Sequence, residues 1–291
     1  MISHAILIAG ALAMLFPFFW MLSTSLKESR ETELTPPRMF PETARWSNYP
    51  EMWNRISTAL APDRNTEPAD IAAWLRCTFW KPFGRCFVNS LLVALCVTGG
   101  VLFTSILAGY AFGRLEFFGH RIVFLAFMAT MMIPFEVTLI PNYLTMVGLG
   151  WDDTYLALIV PWTANVFSIF MLRQFFRQIP SDFYDAALID GCGHWRFLWR
   201  IGVPMVSPAL VTVGIFSFLG SWNAFLWPLV ATTNPDLSVV QKALATFSGE
   251  AGTRYHLLMA ASTVVVIPIV VAYIFLQRRF IEGVTSSGIK G

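Results

Sequence analysis

The sequence predicts an all-α membrane protein with six transmembrane helices. Of its 291 residues, 56% are hydrophobic and only 13% are charged, and the mean hydropathy is +0.59. Soluble domains carry about 25% charged residues. The apolar residues fall into six runs, each long enough to cross the hydrocarbon core of a bilayer. The net charge of +2 gives no indication of a nucleic-acid partner, whereas membrane lipid is an expected one.

The first apolar run covers residues 5–26 and predicts a retained span, so residues 1–26 form the first transmembrane helix. The four residues before it contain no Lys or Arg, whereas a signal peptide begins with a basic region. A polar loop follows over residues 27–85 and is either a solvated lobe or a partner surface. A five-helix core occupies residues 86–276, and a tail occupies residues 277–291. The core spans are predicted at residues 86–113, 122–143 (interrupted by Pro134 and Pro141), 155–175, 205–230 and 256–276.

The distribution of basic residues predicts the orientation. Cytoplasmic loops of membrane proteins carry an excess of Lys and Arg. If both termini are cytoplasmic, the inner segments hold many arginines, whereas the short outer loops hold only Lys242 and Arg254. The long loop over residues 27–85 is then extracytoplasmic. Glycines and alanines near residues 99–113 predict close helix packing in lipid.

A polar stretch over residues 184–193 interrupts the apolar sequence and predicts a docking element. A helix can start after residue 180, with Ser181 as its N-cap. Ala186 and Ala187 form a small-residue patch that another surface can approach. Gly191 and Gly193 are expected to stop the helix. A second short helix then ends near residue 204, so the docking element occupies residues 181–203.

No motif for bond-making chemistry is present in the sequence. None of the four lysines follows a glycine, which excludes a P-loop, and H-E-x-x-H and G-x-S-x-G are absent. We therefore expect no catalytic residue, no metal site and no cofactor. Energy for uphill transport would enter through a partner or an ion gradient. Cys77 and Cys86 lie at the long loop, either paired or as two separate thiols.

Polar and aromatic residues inside the predicted spans are candidates for a substrate pathway. Glu136 lies between two prolines of the third span, where it is either a functional intramembrane carboxylate or a residue near the outer surface. Asn and Trp together suit sugar-like ligands, although hydrogen bonds between helices use the same polar residues. The other candidates are Trp162, Asn165 and Ser168 on the fourth span, and Ser221, Trp222 and Asn223 on the fifth.

The docking element resembles a motif of the permease subunits of bacterial binding-protein-dependent ABC importers. That motif, E-A-A-x-x-x-G, appears here as D-A-A-L-I-D-G over residues 185–191, with Asp in place of the leading Glu. The resemblance extends to A-G-Y-A-F at residues 108–112, to S-W-N-A-F-L-W-P-L at residues 221–229, and to Q-R-R-F-I-E-G-V-T at residues 277–285. It is strongest to the carbohydrate-uptake, maltose-type branch with six spans.

The resemblance implies the type I ABC importer permease fold with both termini cytoplasmic, in a bacterial inner membrane. It implies that residues 181–203 contain a coupling helix that contacts a cytoplasmic ATPase, and that the tail reaches the ATPase as well. The coupling residues are Tyr184, Asp185, Ala186, Ala187, Asp190 and Gly191, and the tail residues are Arg278, Arg279 and Lys290.

The resemblance also implies the partners and the cargo. The partners are a homologous second permease, two copies of the ATPase, which hold ATP and Mg, and an external solute-binding protein. The outer segment at residues 233–254 would reach into that binding protein. The cargo would be a sugar, oligosaccharide or polyol, and this chain itself would not be an enzyme. The alternatives are an ion-coupled transporter that uses Glu136, and an ABC importer for a phosphodiester or an acidic oligosaccharide.

Overall fold

The computed structural model describes residues 2–60, 82–249 and 252–285, and this part of the chain is mostly helical. The first half contains α1 (Ile2–Ser25), α2 (Ser29–Thr32), α3 (Asn48–Ala59), α4 (Pro82–Arg114), α5 (His120–Thr130), α6 (Phe135–Gly148), α7 (Tyr155–Ile159), a 3-10 turn (Val160–Trp162) and α8 (Val166–Gln178).

The second half begins with short helices and ends with a long one. It contains α9 (Ser181–Ile189), α10 (His194–Phe197), a π turn (Leu198–Gly202), α11 (Val203–Met205), α12 (Ser207–Trp222), α13 (Leu226–Ala231), a 3-10 turn (Pro235–Leu237), α14 (Val240–Leu244), a 3-10 turn (Ala245–Phe247), β1 (Ser248–Gly249), β2 (Gly252–Thr253) and α15 (Tyr255–Thr285). The two strands pair antiparallel, with Ser248 opposite Thr253.

Within the described residues, three helical segments are long and apolar enough to cross a membrane: Ile6–Ser25, Pro82–Arg114 and Tyr155–Gln178. Two bent pairs, His120–Thr130 with Phe135–Gly148 and His194–Met205 with Ser207–Trp222, raise this number to five if each pair is one span. The apolar part of α15, Tyr255–Val271, is shorter than these segments. Apolar helices therefore lie at all six predicted positions.

Two of the predicted spans are broken more sharply than the sequence indicated. The third turns by 101° between α5 and α6, at Pro134, whereas Pro141 lies inside α6 and does not end it. The predicted fifth span over residues 205–230 is interrupted, which the sequence did not indicate. α12 ends at Trp222 with Asn223 as its C-cap, and α13 starts at Leu226. Helix α15 also continues past residue 276, where the sequence predicted the start of the tail.

The chain divides into two compact units. The first comprises Met1–Asn89 and Ser238–Ala272. In it, the described residues after α1 fold back onto the end of that helix and do not form an open polar loop. The buried Asn48 amide donates to the carbonyl oxygens of Ser25 and Lys27, at 2.8 Å each. Burial lowers the pKa of the Lys27 ammonium, and Glu31 partly opposes this shift.

The second unit comprises Ser90–Leu237 and Tyr273–Gly291, and its core lies where α4 packs on α8. Small residues on α4 allow this contact, as predicted. A Cβ added at Gly109 would lie 3.0 Å from the Leu172 Cβ atom, and one added at Gly100 would lie 2.6 Å from Thr163 Cγ2. A Cβ added at Gly99 would meet nothing within 4 Å, so Gly99 is not one of the packing glycines.

Candidate functional site

Helix α9 begins the predicted docking element and starts at Ser181. Its N-cap is Pro180, so the expectation that Ser181 caps the helix is wrong. Proline has no N–H with which to continue the preceding helix, and its fixed φ suits the residue just before a new one. Asp182 lies in the first turn, where its carboxylate favours the positive end of the helix dipole.

Helix α9 ends in a Schellman motif, and Gly191 is the residue that makes it possible. The Gly191 N–H donates to the Leu188 carbonyl at 2.9 Å, and the Cys192 N–H donates to the Ala187 carbonyl at 2.8 Å. This pattern places the residue after the C-cap in the left-handed region, and Gly191 has φ +74°. Gly193 has φ −70° and is the N-cap of α10, so the turn uses only Gly191 as a helix stop.

The two alanines of α9 lie on different faces of the helix. Ala187 is 5% exposed and packs into the core of its own unit, whereas Ala186 and Asp185 are exposed. The predicted Ala186/Ala187 docking patch is therefore wrong for Ala187. Helical periodicity explains the difference, because Ala187 follows Tyr184 by three residues and shares its inward face.

Tyr184 holds the two short helices together and is only partly exposed. Its hydroxyl lies 2.9 Å from the His194 ring, and the two rings stack with centroids 5.2 Å apart. The Tyr184 ring also meets Phe197 edge-on at 5.1 Å. His194 in turn lies 3.1 Å from the Tyr110 hydroxyl on α4. These contacts connect the docking element directly to a membrane-spanning helix.

Exposed apolar side chains lie within and beside the predicted motif and were missed in the sequence. Ile189 is 87% exposed, Trp195 is 65% exposed and Phe183 is 51% exposed. The carboxylates of Asp182, Asp185 and Asp190 also lie on this surface. The signal was available for Ile189, because it does not follow Tyr184 or Ala187 at the spacing of three or four residues that shares a helix face. We call the exposed side of α9 together with Trp195 the coupling face.

Three aromatic residues meet where the broken helices of the second unit converge. Trp162 contacts Phe135 at 5.3 Å and Trp227 at 5.6 Å, measured between ring centroids. The Trp227 indole N–H donates to the buried Ala157 carbonyl at 2.9 Å. This bond replaces a helical one, because Pro161 lies four residues after Ala157 and has no N–H. Trp162 therefore lies in a packed cluster at a helix break.

Two of the three polar candidates near this cluster, Asn165 and Ser168, bond to each other. Asn165 is the N-cap of α8, and its Oδ1 atom accepts from the Ser168 N–H at 2.9 Å and from the Ser168 hydroxyl at 3.0 Å. Ser168 is buried and Asn165 is exposed. Glu136 is exposed in the first turn of α6, beside the Phe135 of the aromatic cluster. Glu136, Trp162 and Asn165 thus surround the breaks before α6 and α8.

The three candidates on the fifth predicted span lie at the end of α12. Trp222 is buried and stacks on Phe218 at 5.8 Å, whereas Ser221 is half-buried and Asn223 is exposed. Trp222 therefore has a packing role, and the two polar residues mark the break before α13.

Asp153 is a further positioning residue that the sequence did not single out. Its carboxylate accepts from the N–H groups of Thr233 and Asn234 at 3.0 and 2.9 Å, and from the Thr233 hydroxyl at 3.0 Å. These bonds hold the chain that leaves α13. The sequence gave little indication of this role, because it shows only two adjacent aspartates, Asp152 and Asp153, in a short loop.

Several predicted residues fall outside the described side chains or residues. Helix α15 includes Arg278 and Arg279, but only their backbone is described, and Lys290 lies outside the described residues. Cys77 also lies outside them. Cys86 is a buried free thiol.

Residues 100–286 match the model of a protein family described as "Binding-protein-dependent transport system inner membrane component". The chain is 36% identical over 213 residues to an arabinooligosaccharides transport system permease protein of Halalkalibacterium halodurans, covering 73% of this chain and 75% of that protein. It is 32% identical over 291 residues to a diacetylchitobiose uptake system permease protein of Streptomyces coelicolor, covering 99% and 87%.

Two further comparisons extend along nearly the whole chain. An sn-glycerol-3-phosphate transport system permease protein of Pectobacterium atrosepticum is 28% identical over 98% of this chain and 95% of its own length. The fold is similar to that of one chain in a crystal structure of a bacterial ABC transporter involved in the import of the acidic polysaccharide alginate. The TM-score is 0.75 at 21% identity, with 96% of this chain and 95% of that chain covered.

Proposed function

Because the chain belongs to the family of inner membrane components of binding-protein-dependent transport systems, we propose that it is a permease subunit of an ATP-driven carbohydrate importer. In this proposal it lies in a bacterial inner membrane with six spans and both termini in the cytoplasm. The family match over residues 100–286 is the observation that carries the proposal, since it includes both candidate regions described above.

The coupling face is the proposed contact with a separate cytoplasmic ATPase. Its exposed Ile189 and Phe183 would bury apolar surface in a cleft on that subunit, and its carboxylates would meet basic groups there. Tyr184, His194 and Tyr110 would transmit movement of the ATPase to α4. Gly191 would fix the direction in which the chain leaves the contact. Tail residues Arg278, Arg279 and Lys290 are proposed to contact the same ATPase.

The other partners follow from the type of importer. We propose that a homologous second permease completes the pore and that two ATPase copies hold ATP and Mg. An external binding protein would deliver the cargo to the segment that Asp153 anchors. Glu136, Asn165 and Asn223 are exposed at helix breaks, and exposed polar groups at such breaks suit a water-filled pathway within a membrane.

The proposed cargo is a sugar, an oligosaccharide or a polyol. Two relatives whose names specify oligosaccharide cargo are 36% and 32% identical to this chain, and an sn-glycerol-3-phosphate relative is 28% identical. The order of identity favours a neutral oligosaccharide over a phosphodiester or acidic cargo. An ion-coupled transporter that uses Glu136 finds no support in the family match.

Reconstitution of the chain with its partner permease and ATPase in proteoliposomes tests the proposal. We expect ATP hydrolysis that the loaded binding protein stimulates, together with ATP-dependent uptake of the bound sugar. The control omits only the ATPase. Uptake that persists without the ATPase and follows an ion gradient would refute the proposal.

A further inference from the structure

A basic pocket lies where the ends of α4 and α8 meet the start of α5. It has a volume of about 570 Å³ and is lined by residues of the second unit. Its lining includes the guanidinium groups of Arg114, Arg121, Arg173 and Arg177, and the carboxylate of Glu116. Within the described residues, none of these arginines forms an ion pair. The pocket is therefore strongly positive and suits an anion.

Two of the arginines are held by each other's helices. Arg114 at the end of α4 donates its Nε–H to the Phe176 carbonyl on α8 at 2.9 Å. Arg173 on α8 donates its Nε–H to the Phe112 carbonyl on α4 at 3.0 Å. Both carbonyls lie near helix C-termini, where backbone acceptors lack helical partners. The Phe176 carbonyl would accept from the N–H four residues later in a continuous helix, but residue 180 is a proline and has no N–H. The reciprocal bonds fix both guanidinium groups in place.

The fixed guanidinium group of Arg114 retains a donor that no group within the described residues uses. Arg114 Nη2 is buried and has no hydrogen-bond partner within the described residues. A buried charged donor without a partner is costly, so this atom favours an acceptor in the pocket. The Arg173 guanidinium lies 4.0 Å from the centre of the Phe124 ring, which supports one of its faces. Arg121 and Arg177 are exposed and lie at the edge of the pocket.

Apolar side chains continue outward from the pocket along α5. Ile122 is 74% exposed and Leu125 is 59% exposed, and Phe118 just before this helix is fully exposed. α4 and α8 are parts of segments that are long and apolar enough to cross a membrane, and both segments end near this pocket. The end of a membrane span lies close to the lipid headgroups. The positive charge of the pocket and these exposed apolar side chains are therefore neighbours. A free phosphate would use only the positive charge, whereas a phospholipid would use both.

We propose that this arginine pocket binds the phosphate of an anionic phospholipid, with an acyl chain against the apolar face of α5. The phosphate oxygens accept from Arg114 and Arg173 in the pocket and from Arg121 and Arg177 at its edge. Lipid bound in this way stabilises the packing of α4 on α8. The site is formed by the ends of α4 and α8, so lipid binding does not require the cargo of the transporter.

Native mass spectrometry of the full-length chain tests the proposal, after incubation with equal amounts of phosphatidylglycerol and phosphatidylcholine. We expect retained phosphatidylglycerol in the wild type. The double variant Arg121→Gln/Arg177→Gln should lower the ratio of retained phosphatidylglycerol to phosphatidylcholine about 30-fold, since each basic residue near the surface contributes about fivefold. Arg121→Lys/Arg177→Lys should keep most of the preference, which separates loss of charge from loss of folding.

Arg200→Gln is the matched control, because Arg200 is an exposed arginine in the π turn after α10 and does not line the pocket. It should retain phosphatidylglycerol like the wild type. Equal loss in the control and the double variant would overturn the proposal. Displacement of the lipid by millimolar inorganic phosphate would show a free-anion site and would also overturn it. Unchanged lipid retention with impaired subunit assembly in the double variant would indicate a protein contact instead.

Discussion

Replacing Gly191 with alanine should weaken the coupling between ATP hydrolysis and transport. Gly191 has φ +74°, which a residue with a Cβ atom adopts at a cost of about 1–2 kcal/mol. No atom lies within 4 Å of an added Cβ atom, so the cost is conformational and not steric. A penalty of this size lowers the ratio of the ordered to the disordered turn by a factor of about 5–30.

The reconstituted transporter provides the assay, with uptake and ATP hydrolysis measured on the same preparation. In Gly191→Ala we expect the amount of cargo moved per ATP to fall several-fold while the protein still inserts and assembles. Gly191→Asn should lie between this variant and the wild type, because asparagine tolerates the left-handed conformation better than alanine.

Gly193→Ala is the matched control, two residues away in the same turn. Gly193 has φ −70° and an added Cβ atom would meet nothing within 4 Å, so this variant should behave like the wild type. Wild-type transport per ATP in Gly191→Ala would refute the role of the Schellman turn. Equal impairment in both variants would refute it as well, since the backbone conformation would then not be the cause.

Two further substitutions test the packing of the second unit. Gly100→Ala places a Cβ atom 2.6 Å from Thr163 Cγ2 and should destabilise the solubilised protein by about 1–3 kcal/mol in a thermal melt. Gly99→Ala is the control and should not destabilise it. Equal melting temperatures for the two variants would contradict the close contact at Gly100. Trp227→Phe removes the donor to the buried Ala157 carbonyl and should cost about 1–3 kcal/mol in the same thermal melt; an unchanged melting temperature would show that another donor satisfies that carbonyl.

The apolar segments and the docking helix could be predicted from the sequence because they depend on local patterns. Long hydrophobic runs mark helices whatever their neighbours are, and Pro180 and Gly191, eleven residues apart, bound a short helix. The prediction that helix α9 stops at Gly191 is confirmed by its positive φ. The family predicted from the motif over residues 185–191 is confirmed by the match over residues 100–286.

The errors arose where tertiary contacts decide the outcome. Ala187 looked like a docking residue because a small side chain suits either a partner or the chain's own core, and only the fold distinguishes them. The sequence did not reveal that Asn165 caps α8, because this local role depends on the break at Pro161. The reciprocal bonds of Arg114 and Arg173 join residues about sixty positions apart and leave no local pattern. The roles proposed for Glu136 and the tail arginines remain predictions.

Site-directed photo-crosslinking tests most directly whether the coupling face contacts the ATPase. A benzoyl-phenylalanine at Ile189, which is 87% exposed on α9, should form an adduct with the ATPase subunit in membranes containing the assembled transporter. The same probe at Ile140, which is 68% exposed on α6, should form none with that subunit. An ATPase adduct from position 140 and none from position 189 would contradict the proposed contact.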